Sequence, residues 1–324
     1  IMTHLNIACF VPRHYDYLAA TLIQGLIHLG HNCLGSENAN YVHKISPRRM
    51  RDFLNQCDIV IVFSGSKNLG VLENIQTKAH RVYVDGSDFP YVKAPKIIFD
   101  YLFKREILRC VNTEAYPLQF GVKDHYIQKQ TLNCKWLVSF VGAMTNYTRL
   151  SVQEYLRSQN APDIFAGSTN ERAYDGKSGY PLKTPDYSSI INNSLASIDI
   201  PGLGWDCGRT WEVLGSGALL IQARSELLYC EELIENEHFI AFSNLKELAE
   251  IINEMRQKPQ KYMEIRKVGY QNALRKHSSK ARAEYFLNIL KVGKPNSFLG
   301  TEQVSIGQTH NIIRKVKKLI FRNI

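Results

Sequence analysis

The 324-residue chain has no run approaching 18 consecutive apolar residues, so nothing in it is expected to span a membrane as a helix. It has no Cys-x-x-Cys pair. Its seven cysteines (Cys9, Cys33, Cys57, Cys110, Cys134, Cys207 and Cys230) are scattered and odd in number, and Cys9 and Cys57 lie in hydrophobic runs. Reduced thiols, a reducing compartment and no zinc are therefore expected. No histidines follow a His-x-x-x-His spacing, so no metal ligands are assigned. No Asp-x-Asp occurs either, because none of the twelve aspartates stands two positions from another. Internal repeats and low-complexity tracts are also absent. The opening Ile-Met-Thr-His lacks a basic n-region and runs straight into a strand-like segment, so no signal peptide is expected and the location expected is cytoplasmic. The Asn-x-Ser/Thr triplets at Asn146 and Asn192 carry little meaning in that setting.

At 44 % hydrophobic and 22 % charged, the composition is that of a soluble globular protein. The formal charge of +10 is unevenly placed: Arg314, Lys315, Lys317, Lys318 and Arg322 supply half of it within 310–324, where no acid occurs. On a helix, Ile312, Ile313, Val316, Leu319 and Ile320 would form one apolar stripe, with those bases around the rest. That pattern suits a helix lying in an anionic membrane interface, peripheral on the inner face; a helix packed on the protein's own body is the alternative. A nucleic-acid binder is disfavoured, because the basic segment is short and lacks interleaved aromatics.

The length suggests two domains. In the first third, Leu5–Val11, Asn32–Leu34, Asp58–Phe63 and Arg81–Val84 read as strands, separated by helical segments at Asp16–Leu29, Pro47–Asn55 and Leu69–Thr77. Continuous apolar runs such as Asp58-Ile-Val-Ile-Val-Phe63 suit a parallel sheet covered on both faces. A second α/β unit starts at Trp136–Val141, continues with strands near 163–166, 194–200, 218–221 and 238–241, and closes with helices through Leu290. Residues 291–309 are polar and read as a linker. The division expected is 1–125, 126–290, and 291–324 as linker and basic tail.

The informative stretch runs from Asp199 to Ile221. A buried strand ends at Ile200, and a loop with Gly202, Gly204 and Gly208 opens a short helix. Glycines let a backbone approach a phosphate closely, and the amides of a helix start attract anions. Arg209, in the first turn, adds a bidentate donor suited to a pyrophosphate. Glu212 is one turn on, where a carboxylate can accept the vicinal hydroxyls of a ribose. Together these groups would hold a nucleoside diphosphate. The alternative is an ordinary i, i+3 ion pair of Arg209 and Glu212 on a solvated helix, with glycines that merely turn the chain.

The run Arg209-Thr-Trp-Glu212…Gly215-Ser-Gly-Ala-Leu-Leu-Ile221 resembles the donor-site signature of GT-B glycosyltransferases. Phe239 to Leu248 and the helices through Arg282 are similar to the segments that follow it in that family. Upstream, Ser139-Phe-Val-Gly142-Ala143 with Arg149 resembles the first strand and loop of the donor domain. Asp85-Gly-Ser-Asp88 and Phe103-Lys-Arg-Glu106 are similar to segments of bacterial glycosyltransferases of the spore-maturation-protein type. The resemblance implies an α/β protein of GT-B fold: two Rossmann-like domains facing a cleft, here followed by a C-terminal amphipathic basic helix. It implies a hexosyltransferase-type enzyme that moves a sugar from a nucleotide-diphosphate sugar, UDP-linked by expectation, with Gly142, Arg149, Gly202, Gly204, Gly208, Arg209 and Glu212 on the donor. In the absence of Asp-x-Asp, the helix start and Arg209 would take a metal's place on the diphosphate, and no cofactor is expected. The chain departs from many retaining members in having Gly204 where a second Glu stands, which leaves retention or inversion open.

The resemblance assigns the acceptor (a glycan, a lipid-linked group or a small molecule) and the catalytic base to the N-terminal domain. His14, in the loop after the first strand, and Asp85 or Asp88, after a later one, are the candidates. Lys104 and Arg105 are candidates for binding an anion, or for a solvated basic face. Two other readings share the donor site or the tail: a nucleotide-sugar epimerase of the same fold, and a non-catalytic, membrane-associated carbohydrate-binding protein.

Overall fold

The computed structural model describes residues 4–37, 39–73, 77–88, 91–92, 94–169, 184–295, 298–299 and 304–305. The chain divides into two compact units, one built from the described residues within 1–121, 226–230 and 277–309, the other from those within 122–225 and 231–276.

The first unit begins with β1 (Asn6–Phe10), α1 (Tyr17–His28), β2 (Asn32–Gly35), β3 (His43–Lys44), α2 (Pro47–Leu54), β4 (Ile59–Phe63), α3 (Gly70–Glu73) and β5 (His80–Asp85). β6 (Tyr91–Val92), β7 (Ile98–Phe99), β8 (Tyr101–Lys104) and β9 (Tyr116–Pro117) follow. Seven strands form one parallel sheet in the order β3-β2-β1-β4-β5-β8-β9. All five residues of β4 are buried, because helices cover both faces of the sheet. Asp16 caps α1 by accepting from the Ala19 amide at 2.8 Å, and Ser46 caps α2 just before Pro47 at the first helical position.

The second unit contains β10 (Trp136–Gly142), α4 (Tyr147–Ser158), β11 (Ile164–Ser168), α5 (Thr184–Asn192), β12 (Ser194–Asp199), α6 (Gly208–Gly215), β13 (Leu219–Ala223), β14 (Ile240–Phe242), α7 (Leu245–Gln257) and α8 (Pro259–Lys276). Its five strands are parallel in the order β11-β10-β12-β13-β14. The order reverses beside β10 and β12, whose carboxyl ends therefore flank the crevice where such sheets bind ligands. Gly217, at φ +74°, lets the chain leave α6 in the left-handed conformation and enter β13.

Two expectations about the division of the chain are corrected. The last helix, α9 (Ser279–Val292), was placed in the second domain, yet it belongs to the first unit, with Ala283, Phe286, Leu287 and Leu290 in that unit's core beside α1. Gly25 makes the approach possible: a β-carbon there would lie 1.9 Å from the Ser279 carbonyl oxygen. Nor is 291–309 simply a linker. β15 (Phe298–Leu299) pairs antiparallel with β7, and β16 (Val304–Ser305) with β6. Each pairing is only two residues long, too short for a period or an apolar run to signal a strand. The basic tail, 310–324, lies outside the described residues.

Candidate functional site

In the second unit the carboxyl end of β12 feeds a loop that two side chains of α4 hold in shape. Arg149 donates from Nε and Nη2 to the Ile200 carbonyl at 3.0 and 2.8 Å, and from Nη1 to the Ala143 carbonyl at 2.9 Å. Asn146 caps α4 through the Arg149 amide while its Nδ2 donates to the carbonyls of Pro201 and Gly202. Gly202 packs on Arg149, where a β-carbon would lie 3.2 Å from Nη2. This loop delivers the chain to α6 at Gly208.

The N-terminus of α6 carries no side-chain cap, in contrast to α1, α2, α4, α7 and α9. Cys207 stands at the capping position, and burial pushes its thiol up to about 12, so it offers no anion to the helix amides at neutral pH. Those amides face a cavity of about 410 Å³ bounded by Gly142, Thr169, Tyr187, Gly208, Arg209 and Glu212. An uncapped helix start beside a buried arginine is a site for an anion.

Arg209 is held from behind. Its Nη1 lies 3.4 Å from Oδ1 of Asp199, which is fully buried at the end of β12. The second Asp199 oxygen accepts the Thr210 hydroxyl at 2.6 Å, and Gln222 donates to that hydroxyl in turn at 3.1 Å. Burial by itself disfavours the charge on Arg209, yet its net shift is upward because Tyr187, Asp199, Cys207 and Glu212 surround it. On its other side, a β-carbon at Gly142 would fall 1.7 Å from Nη2, so only glycine permits the guanidinium to lie across the end of β10.

Glu212 accepts the Tyr187 hydroxyl at 2.5 Å. Burial raises its pKa above the ordinary carboxylate range, against opposing pulls from Tyr187, Arg209, Lys123 and Tyr126. Burial likewise lowers the pKa of Lys123. The solvated Arg209–Glu212 ion pair entertained from the sequence is thus not what forms, since each side chain has its own enclosed partner. Gly142, Arg149, Gly208, Arg209 and Glu212 all border the one cavity, whereas Gly202 and Gly204 do not. Arg149 borders it too, held there by its bonds to the Ile200 and Ala143 carbonyls and to the Cys207 sulfur. Asp199 and Tyr187 escaped the sequence reading. A carboxylate at the end of a strand that carries no other charge was a usable signal for Asp199, while nothing local linked Tyr187 to Glu212, 25 residues away.

The expected bases lie in the first unit. Asp85 is 1 % exposed and faces the equally buried Lys104, with 3.2 Å between charged atoms, while its other oxygen accepts from the Ser87 amide. That burial contradicts an open general base at Asp85, and Lys104 likewise is no solvated basic face, since its ammonium also donates to Ser87. Asp88 is exposed and pairs with Arg105, which also contacts Glu106 and the ring of Phe120. His14 is exposed in its loop, near Asp16. Asp16 had been read only as the start of a helix; burial raises its pKa, against the pull of Arg105 and His14. Among the described residues, no helix is long and apolar enough to cross a membrane.

Residues 151–288, which hold most of this cavity's wall, match the family model described as Glycosyl transferase-like. A glycosyltransferase from Rickettsia africae superposes with a TM-score of 0.64 at 13 % identity, covering 90 % of this chain and 98 % of that one. HepE from Anabaena, solved in complex with UDP and glucose, gives 0.61 at 10 % identity over 89 % of this chain and all of that one. The chain is GT-B in fold. A second HepE structure, with UDP-glucose, gives a TM-score of 0.60. No curated protein sequence matches the chain.

Proposed function

We propose that this GT-B protein transfers a hexose from a UDP-sugar to an acceptor. The observation that carries the reading is the convergence, on one cavity, of the uncapped start of α6, the braced Arg209 and the enclosed Glu212. That a structure of like fold holds UDP-glucose supports the choice of nucleotide. Arg209 and the α6 amides neutralise the diphosphate as it departs, supplying in the transition state the charge that a divalent cation gives other transferases. Glu212 receives the ribose hydroxyls, with Tyr187 fixing the carboxyl's orientation.

His14, exposed in the loop after β1, is the group of the first unit best suited to take the acceptor's proton. The tail, 310–324, holds the enzyme at an anionic membrane surface, a reading that rests on its sequence alone.

Thermal-shift measurements with UDP, GDP, ADP and CMP, and with their sugars, test the donor. Stabilisation by UDP and UDP-hexoses is expected, and no shift with any nucleotide would remove the enzyme reading. Release of UDP that depends on an acceptor separates a transferase from an epimerase, and unchanged turnover in EDTA is expected. Deleting 310–324 should abolish sedimentation with anionic vesicles and spare turnover; sedimentation that persists would refute the membrane reading.

A further inference from the structure

A second cavity, of about 530 Å³, lies wholly within the first unit. The parallel strands β3, β2, β1 and β4 all end on it or just before it. Phe10 closes β1, Ser36 follows β2, Ile45 follows β3, and Asn68 lies in the loop from β4 to α3. In the sheet order β3-β2-β1-β4-β5, the chain runs from β1 to β2 in one direction and resumes in the other at β4. The cavity therefore sits at a topological switch point, outside the carboxyl ends of the strands, where open α/β sheets place ligands. Its volume falls within the range of small-molecule sites.

The wall chemistry specifies the ligand. Phe10, Ile45, Met50 and Val71 give the cavity an apolar wall. Ser36 borders the cavity, and its hydroxyl, shielded from solvent, has no hydrogen-bond partner among the described residues. Asn68 takes a left-handed backbone, φ +60°, and its amide donates to Glu37 at 3.4 Å. Glu37 is met by Arg13 at 3.7 Å and Lys44 at 3.9 Å. Arg51, on α2, borders the cavity and makes no ion pair among the described residues. An apolar chamber with one unpaired guanidinium and one unsatisfied hydroxyl selects an amphipathic anion.

We propose that this cavity binds the acceptor, and that the acceptor has an apolar body bearing a phosphate or carboxylate that Arg51 receives. That the ligand is the acceptor rests on the glycosyl-transfer reading above; that the cavity takes an apolar anion does not.

Isothermal titration of the full chain with octyl phosphate, 2-naphthoate, octyl glucoside and inorganic phosphate tests the proposal, with UDP titrated into the same samples. One of the two organic anions should bind about tenfold more tightly than octyl glucoside, the usual size of a charge-assisted contact, and inorganic phosphate should give no heat. Preference for octyl phosphate would assign a lipid phosphate, and preference for 2-naphthoate a small aromatic acid. Arg51→Gln should erase the preference for the anion, Val71→Trp should fill the chamber and abolish binding, and both should bind UDP as the wild type does. Equal affinity for octyl glucoside and the anions, or unchanged anion binding in Arg51→Gln, would overturn the proposal. Loss of UDP binding alone would strike the transfer reading and leave the apolar-anion site standing.

Discussion

Glu212 holds its proton more tightly in the folded protein than in the unfolded chain, because burial raises its pKa. Its contribution to stability is therefore complete below the ordinary carboxylate range and is lost as pH rises through the raised value. Glu212→Gln should accordingly melt higher than the wild type at neutral pH, with the gap closing on acidification. A series of melting curves across pH checks this, and a gap independent of pH would contradict it. Gly142 makes a complementary case. In Gly142→Ala the new methyl displaces the Arg209 guanidinium, so UDP affinity should fall while stability drops by about 1–3 kcal/mol. Calorimetric titration beside a denaturant curve separates the two effects. Arg209 and Glu212 were legible in the sequence because both lie on one short helix at i, i+3. Their braces, Asp199 and Tyr187, were not, because contacts across elements leave no spacing to read.

At the scale of elements, the start of α6 is placed by α4 rather than by its own loop. Arg149→Met would leave the Ile200 and Ala143 carbonyls without their charged donors, at about 1.5–3 kcal/mol for each hydrogen bond to a charged group lost. The expected outcome is a clear fall in unfolding free energy together with weaker UDP binding; wild-type affinity in the variant would show that the loop holds its shape unaided. The strands were legible where burial on both faces produced an unbroken apolar run, as in β4. Helix starts were legible where a cap preceded an apolar pattern, as at Asp16. β15 and β16 were missed because two residues are too few to show a period.

For the molecule as a whole, the sequence was read as two domains laid end to end, and it is not built that way. The chain leaves the first unit at 121, re-enters it at 226–230 and returns again at 277, so its last helix supports its first. Phe286 is fully buried in the first unit's core, and Phe286→Ala should cost about 3–5 kcal/mol. Chemical denaturation measures the loss, and hydrogen exchange should place it on β1 and α1; a loss confined to β10–β14 would contradict the assignment of α9. Periodicity identified this helix correctly but says nothing about which sheet its apolar face meets. Among all of these relations, the occupancy of the α6 cavity by a nucleoside diphosphate is the one from which the functional account follows. Isothermal titration of the full chain with UDP, alongside Glu212→Ala, tests it most directly. Saturable binding by the wild type is predicted, weakened about tenfold or more in the variant. The absence of binding, or equal affinity in the two proteins, would contradict it.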